Sequence, residues 1–205
     1  MESIQKAYAD FVAYEANFDG QVLIDWTRAH AEVPVFAVAI YLAMVMSGPK
    51  AMPFPLKLGR LFAVWNLLLC VFSAVGVSRV VPVMIEALQD PSHGDTFWER
   101  FVWTCCTDPK DWYLVGGSGL WVGLFIFSKL PELLDTAFLV LQKKDVIFLH
   151  WFHHCTVLLY CWHAFHHRIA PGLWFAAMNF LSCTSPLKSI STTSPSNIIS
   201  NKNNL

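Results

Sequence analysis

Residues 129–154 read KLPELLDTAFLVLQKKDVIFLHWFHH, and this stretch places ionisable side chains inside strongly apolar sequence. Its ionisable members of interest are Lys129, Glu132, Asp135, His150, His153 and His154. Long hydrophobic runs flank the stretch on both sides. Ionisable groups cost free energy inside a membrane and usually face a cavity or a partner. The stretch is therefore both the centre of the predicted fold and the first candidate for a functional site.

The composition predicts a membrane protein. Of 205 residues, 55% are hydrophobic and only 14% are charged, which is too apolar for an ordinary soluble domain. The net charge of -1 argues against nucleic-acid binding, which requires a basic face. We expect no cleavable signal peptide, because residues 1–32 are polar and acidic rather than a basic stub before an apolar run.

The apolar runs predict an all-α polytopic fold with four to five transmembrane helices. The predicted spans are residues 33–46, 61–85, 114–141, 146–165 and an incomplete fifth at 173–181. Pro131 should break or kink the third span. The chain then divides into an N-terminal segment with amphipathic character (1–32), a transmembrane domain (33–181) and a low-complexity tail (182–205).

Charged loops predict the orientation. Lysine and arginine are in excess in the loops 49–60 and 143–145, whereas the long polar loop 86–113 is mainly acidic. The positive-inside rule makes the two basic loops cytosolic. The N-terminus and the loop 86–113 are then lumenal, and the histidines near residue 150 lie close to the cytosolic face.

The three histidines of the first cluster have helical spacing. His150, His153 and His154 follow at i, i+3 and i+4 and share one helix face. They begin about 6 Å inside the fourth span. A tight turn at 143–145 should make the third and fourth spans antiparallel neighbours, so that Asp135 meets the imidazoles in one pocket. A carboxylate beside a histidine sets its tautomer and raises its basicity, as a nucleophile or general base requires.

A second cluster, His163, His166 and His167, repeats the HxxHH pattern. Two such boxes also occur in membrane di-iron desaturases and hydroxylases. On one helix the boxes would lie about 20 Å apart, far beyond the metal–ligand bonds of a shared site. The segment between them, TVLLYCW, has neither Gly nor Pro to break the helix, and an HxxxH box is absent. We favour an interfacial rim here and expect no metal.

The six cysteines predict free thiols. They lie in or near the predicted spans, apart from Cys105 and Cys106 in the polar loop, and have no CxxC spacing. Neither a zinc site nor a disulfide framework is indicated.

Three motifs together resemble one family. Residues 129–138, KLPELLDTAF, resemble the KxxELxDTxF signature of the ELO family of very-long-chain fatty acid elongases. Residues 149–154, LHWFHH, are similar to the histidine box of that family. The second span contributes an FSxxGxxR pattern through Phe72, Ser73, Gly76 and Arg79. The resemblance covers roughly residues 60–180.

The resemblance implies a 3-oxoacyl-CoA synthase of the endoplasmic reticulum membrane. Such an enzyme condenses a long-chain acyl-CoA with malonyl-CoA and releases CO2 and CoA, without cofactor or metal. Family members have seven spans, six of which surround an acyl tunnel. The implied partners are membrane lipids, the two CoA substrates, and other elongases or elongation-cycle enzymes in an oligomer.

The resemblance also implies roles for individual residues. His153 is the candidate for an acyl-imidazole intermediate, and His150 and His154 would orient groups or stabilise the oxyanion. The residues that would shape the pocket for the thioester and CoA end are Lys129, Glu132, Asp135 and Thr136.

The chain departs from the family after Asn179. The family pattern continues as NxxxHxxMYxYY, but Cys183 stands at the position of the histidine and a Ser/Thr/Asn-rich stretch follows. We therefore expect a truncated form with weak or no activity. The alternatives are a di-iron desaturase or hydroxylase, and a non-catalytic fragment that pairs with an intact elongase.

Overall fold

The computed structural model describes residues 2–184, and its regular elements there are helices. They are α1 (Glu2–Ala16), α2 (Gln21–Ala29), α3 (Val33–Ala51), α4 (Gly59–Gln89), α5 (Phe97–Cys106), α6 (Gly116–Ser128), α7 (Leu134–Leu141), α8 (Phe148–His166) and α9 (Gly172–Thr184). Short 3-10 turns occupy Pro91–His93, Pro109–Asp111 and Pro131–Leu133. The predicted all-α class is confirmed for the described residues.

Helix α4 is the longest element, with 31 residues. Arg79 and Pro82 lie within it without ending it. By length and apolar composition, α4 is the one single helix in the described chain that could cross a membrane. Helices α2 and α3, bent by 62° at their junction, meet the same criterion as a pair. The geometry thus gives one or two candidate spans, and the polytopic arrangement remains a prediction.

The third predicted span is broken where Pro131 stands. Helix α6 ends at Ser128, a 3-10 turn covers Pro131–Leu133, and α7 starts at Leu134. Proline lacks the N–H that an α-helix needs and crowds the preceding turn. The predicted break is therefore confirmed.

Helix α3 is longer than the apolar run that predicted it. The apolar run 33–46 stops before Ser47, Gly48 and Pro49, whereas α3 continues to Ala51 and has 19 residues, within the length that flanking residues could add to the run. The Ser47 hydroxyl donates to the carbonyl of Ala43, and Gly48 lies so close to Val140 of α7 that a Cβ there would clash. Packing between α3 and α7 maintains the last turn despite residues that disfavour a helix.

The loop 86–113 contains a helix that we did not predict. Thr96 and Glu99 form a reciprocal capping box at the start of α5: the Thr96 hydroxyl accepts from the Glu99 N–H at 3.2 Å. The Glu99 carboxylate accepts from the main-chain N–H groups of Thr96 at 3.0 Å and Asp95 at 2.8 Å. The Thr-x-x-Glu spacing is the sequence signal for such a cap.

The core forms where α4, α6, α8 and α9 meet. Its largest fully buried side chains include Trp162, Phe125 and Phe180. Gly76 of α4 faces Phe180 of α9, and a Cβ at Gly76 would lie 2.5 Å from the ring. A glycine at this position allows α9 to pack closely against α4.

The N-terminal helix is joined to this core by an ion pair whose carboxylate is buried. Glu15 of α1 is 4% exposed. Its carboxylate accepts from Arg79 Nε at 3.1 Å and from the indole N–H of Trp121 at 2.5 Å. Arg79, which lies within the second predicted span, is therefore neutralised by a residue from the N-terminal segment.

Helix α9 reaches into the segment that was predicted to be a low-complexity tail. The predicted tail, 182–205, lies outside the described residues except for its first three, which continue α9 to Thr184.

The five cysteines whose side chains are described are free. The prediction of free thiols is confirmed for Cys70, Cys105, Cys106, Cys155 and Cys161.

Candidate functional site

The turn between α7 and α8 places the first histidine cluster. Lys143 adopts a left-handed conformation, with φ of 54°. The N–H of Lys144 donates to the Leu139 carbonyl and that of Lys143 to the Val140 carbonyl, both at 2.9 Å. This is the hydrogen-bond pattern that closes a helix C-terminus. Helix α3 packs against both α7 and α8.

Three helices contribute to one chain of hydrogen bonds. The Tyr41 hydroxyl of α3 lies 2.8 Å from the Thr136 hydroxyl of α7. The same Thr136 oxygen lies 2.8 Å from Nε2 of His150 in α8. Tyr41 is 2% exposed and Thr136 is fully buried. A hydroxyl can donate one hydrogen bond and accept another. The row of hydrogen bonds therefore holds the imidazole of His150 in place, and the donors and acceptors along it can reverse when the imidazole gains or loses a proton.

The other two histidines of the box differ in exposure. His154 is half-buried, with its ring centre 4.7 Å from that of His150 and 6.1 Å from that of Tyr41. His153 is exposed, and its ring centre lies 5.9 Å from that of His154. His150 and His154 thus lie beside Tyr41, while His153 remains accessible.

Lys129 and Glu132 form an ion pair in which the lysine is buried and the glutamate is partly exposed. Lys129 is 7% exposed, and its Nζ donates to the two Glu132 oxygens at 2.7 and 2.8 Å. The ammonium also lies 4.2 Å above the ring of Phe125. Ser128 donates to Glu132 at 2.8 Å. These contacts offset the cost of removing both charges from water.

Asp135 has a different partner from the one we expected. Its carboxylate accepts from the indole N–H of Trp65 in α4 at 2.6 Å. The neutral Thr136 hydroxyl, rather than a carboxylate, is the group hydrogen-bonded to His150. The expectation of an Asp–His pair is corrected accordingly: Asp135 faces α4, and the next residue along the helix faces α8.

Sequence reasoning missed Tyr41 and Trp65. Tyr41 has the one hydroxyl in the apolar run 33–46, and a polar group there needs a partner when it is buried. Trp65 had no comparable signal, since tryptophan is common in apolar spans.

A basic cavity lies at the α7–α8 turn, a few residues before the box. It has a volume of about 290 Å³ and is lined by Val45, Lys143, Lys144, Asp145 and Val146. Its two lysines are exposed. The cavity therefore places exposed cationic groups just before the start of α8, the helix that carries the histidine box.

The second cluster lies at the opposite end of α8. Helix α8 is continuous from Phe148 to His166, so the two boxes do not approach each other. A shared di-iron centre is not supported by this geometry. In the described part of the chain, the group of side chains spaced for a metal ion is His163, His166 and His167.

Comparison with known proteins gives a consistent assignment. The sequence profile described as ELO: GNS1/SUR4 family matches residues 26–183. "Fatty acid elongase 3" of Trypanosoma cruzi (strain CL Brener) is 41% identical over 187 residues, which cover 83% of this chain and 62% of the relative. "Fatty acid elongase 3" of Trypanosoma brucei brucei (strain 927/4 GUTat10.1) is 42% identical over 185 residues, covering 82% and 62%.

A relative from Gallus gallus is also similar to this chain. "Very long chain fatty acid elongase 6" of Gallus gallus is 32% identical over 169 residues, covering 82% of this chain and 60% of the relative. No solved structure matches. The chain spans about three fifths of the length of these relatives. Since the matched region contains both the KxxELxDTxF segment and the histidine box, this chain belongs to the ELO (GNS1/SUR4) family.

Proposed function

We propose that this chain acts in fatty acid elongation, at the step that joins a long-chain acyl-CoA to malonyl-CoA. The products are a 3-oxoacyl-CoA, CO2 and free CoA. The observation that carries the proposal is the Tyr41–Thr136–His150 hydrogen-bond chain, which joins the two family motifs to α3. The names of the relatives, all fatty acid elongases, support the same reaction class.

The exposed apolar surface supports a membrane location. Leu67 and Leu68 of α4 are 58% and 59% exposed, although the helix is long and hydrophobic. A core helix of a soluble protein would bury such residues, whereas lipid can cover them. We place the chain in the endoplasmic reticulum membrane as a multi-pass protein, with a lumenal N-terminus and the histidine box near the cytosolic face.

In the first half-reaction, His153 is the nucleophile. An imidazole nitrogen attacks the thioester carbonyl, a C–N bond forms, and the C–S bond breaks. CoA leaves as the thiol after receiving the proton that the imidazole loses. His153 suits this role because its ring is exposed, whereas Nε2 of His150 is already held by Thr136.

In the second half-reaction, malonyl-CoA loses CO2, and the electron pair of the broken C–C bond forms an enolate. The enolate carbon attacks the acyl-imidazole carbonyl, a new C–C bond forms, and the C–N bond breaks. His153 then takes up one proton from water, which balances the proton that left with CoA. His150 and His154 position the reacting groups and stabilise the negative oxygen.

The remaining groups shape the substrate pocket. The paired Lys129 and Glu132, with Asp135 and Thr136, supply a fixed polar surface beside the box. We assign the lysines of the turn cavity to attraction of the CoA phosphates, because exposed ammonium groups attract such anions. No cofactor or metal is required for these steps.

The decisive experiment detects the covalent intermediate. The 205-residue chain is reconstituted in membranes and incubated with a long-chain acyl-CoA, followed by peptide mapping with mass spectrometry. We expect the acyl mass on His153 and its loss in His153→Ala. His30→Ala, which alters a histidine outside the box, should retain the adduct. Acylation at another residue, or unchanged acylation in His153→Ala, would contradict the proposal.

A second assay measures turnover with labelled malonyl-CoA. Because Cys183 stands where the family has a histidine, the sequence predicts weak or no 3-oxoacyl-CoA formation by this chain. Robust product formation would contradict that prediction and leave the role of His153 intact. Co-purification with an intact elongase, without activity alone, would favour a non-catalytic partner.

A further inference from the structure

Three histidines converge at the C-terminal end of α8. Each of His163, His166 and His167 offers one ring nitrogen, and these atoms lie within 4.8 Å of one another. The ring centres are 5.4 Å apart for 163–166, 4.4 Å for 163–167 and 4.2 Å for 166–167. Spacing at i, i+3 and i+4 brings all three to one face of the helix.

The geometry is close to that of a metal site. Ligand bonds of 2.0–2.1 Å at a tetrahedral angle place two imidazole nitrogens about 3.3 Å apart. His163 and His167 are exposed, so side-chain rotation can close the remaining distance. Nδ1 of His166 is buried, and no hydrogen bond of normal geometry reaches it.

The surrounding charges also permit a cation. The carbonyl end of a helix carries partial negative charge, which favours positive charge nearby. Two arginines lie close, but each has an acidic partner: Arg168 pairs with Asp108 at 3.6 Å, and Arg28 pairs with Asp25 at 3.7 Å. Arg28 also donates to the main-chain oxygen of His166 at 2.9 Å. Their repulsion of a metal ion is therefore reduced.

We propose that His163, His166 and His167 bind one divalent transition-metal ion of the borderline class, such as Zn²⁺. Imidazole ligands suit zinc, copper and nickel, whereas calcium and magnesium prefer oxygen. Three imidazoles leave a fourth tetrahedral position for water. The site is separate from the His150 box, which lies about 20 Å away along the same helix, and it does not depend on the elongation reaction.

The test measures metal binding directly. The full 205-residue chain is purified in detergent with a tag that contains no histidine, and Zn²⁺ is titrated by calorimetry. Co²⁺ absorption serves as a second, spectroscopic readout of tetrahedral nitrogen ligation. We expect one ion per chain in the wild type. In His163→Ala/His167→Ala, the affinity should fall by about 100-fold or more.

Matched controls separate this site from other histidines. His150→Ala/His153→Ala removes two imidazoles from the other box, and His93→Ala removes one from the loop 86–113. Both variants should bind one ion as the wild type does. No saturable binding by the wild type, or equal affinity in His163→Ala/His167→Ala, would overturn the proposal. Circular dichroism of the metal-free variants establishes that they are folded, so that lost affinity reports lost ligands.

Discussion

At the scale of single residues, Thr136 links the two family motifs. It is fully buried and lies within hydrogen-bond distance of both Tyr41 and His150. The hydrogen bonds of a buried hydroxyl add little net stability, but removing the hydroxyl leaves its buried polar partners without a hydrogen bond, which costs more. Substitution at this position therefore tests the site through stability as well as through chemistry.

We predict that Thr136→Val lowers the stability of the chain by about 1–3 kcal/mol, because Tyr41 is left with a buried hydroxyl that has no partner. Thermal unfolding in detergent measures the change. Thr136→Ser, which keeps the hydroxyl, should cost less. Tyr41→Phe combined with Thr136→Val should cost less than the sum of the two single changes. Strict additivity would contradict a direct Tyr41–Thr136 interaction.

At the scale of helices, close packing depends on a glycine between α4 and α9. We predict that Gly76→Ala destabilises the chain by about 1–3 kcal/mol, because its Cβ would meet the ring of Phe180 at 2.5 Å. Gly59→Ala is the matched control, since nothing lies within 4 Å of its added Cβ. Phe180→Leu in the Gly76→Ala background should recover part of the loss. Equal melting temperatures for Gly76→Ala and Gly59→Ala would contradict this packing.

Helix α5 provides a pH-dependent prediction. Hydrogen bonds from the main-chain N–H groups of Thr96 and Asp95 hold the pKa of Glu99 below its ordinary value of 4.5. Because the folded pKa is lowered, the stabilisation is present above about pH 4.5 and is lost as pH falls through the folded pKa. Glu99→Gln should therefore melt earlier than the wild type at pH 7.

The difference between Glu99→Gln and the wild type should shrink as the pH is lowered below about 4.5 and through the folded pKa of Glu99. Melting curves across that range measure it, and Glu86→Gln, an exposed acid outside the cap, is the control. A difference that stays constant with pH would show that the carboxylate charge at the cap does not matter.

At the scale of the whole molecule, the membrane orientation can be tested by glycosylation. Val102→Asn creates an Asn-Trp-Thr acceptor in the loop 86–113, which we predict to be lumenal and therefore glycosylated in microsomes. Lys57→Asn/Gly59→Thr creates an acceptor in the loop 49–60, which should remain unmodified. The reverse pattern would invert the orientation, and the box would then lie near the lumen.

Local sequence determined the helical class and several of its boundaries. Long apolar runs predicted α4 and α8, and the missing N–H of Pro131 predicted the break between α6 and α7. The HxxHH spacing placed the histidines on one face, because helical geometry relates neighbours in the chain. The family motifs were equally visible, since they are short and contiguous. The predictions for the end of α3 and for the loop that contains α5 were wrong for opposite reasons. Packing against α7 extended α3 through residues that disfavour a helix, whereas the Thr96–Glu99 cap started α5 in a segment predicted to be a loop.

Only the tertiary structure decided which partners these residues meet. Tyr41 and Thr136 are 95 positions apart, Trp65 and Asp135 are 70 apart, and Glu15 and Trp121 are 106 apart. No local pattern links such pairs, because their contact depends on how helices pack and on which face each helix buries. Sequence therefore determined that acids and imidazoles share this region. The packing of α3 against α7 and α8 decided that the Thr136 hydroxyl holds His150. The contact between α4 and α7 decided that Asp135 is hydrogen-bonded to Trp65 instead.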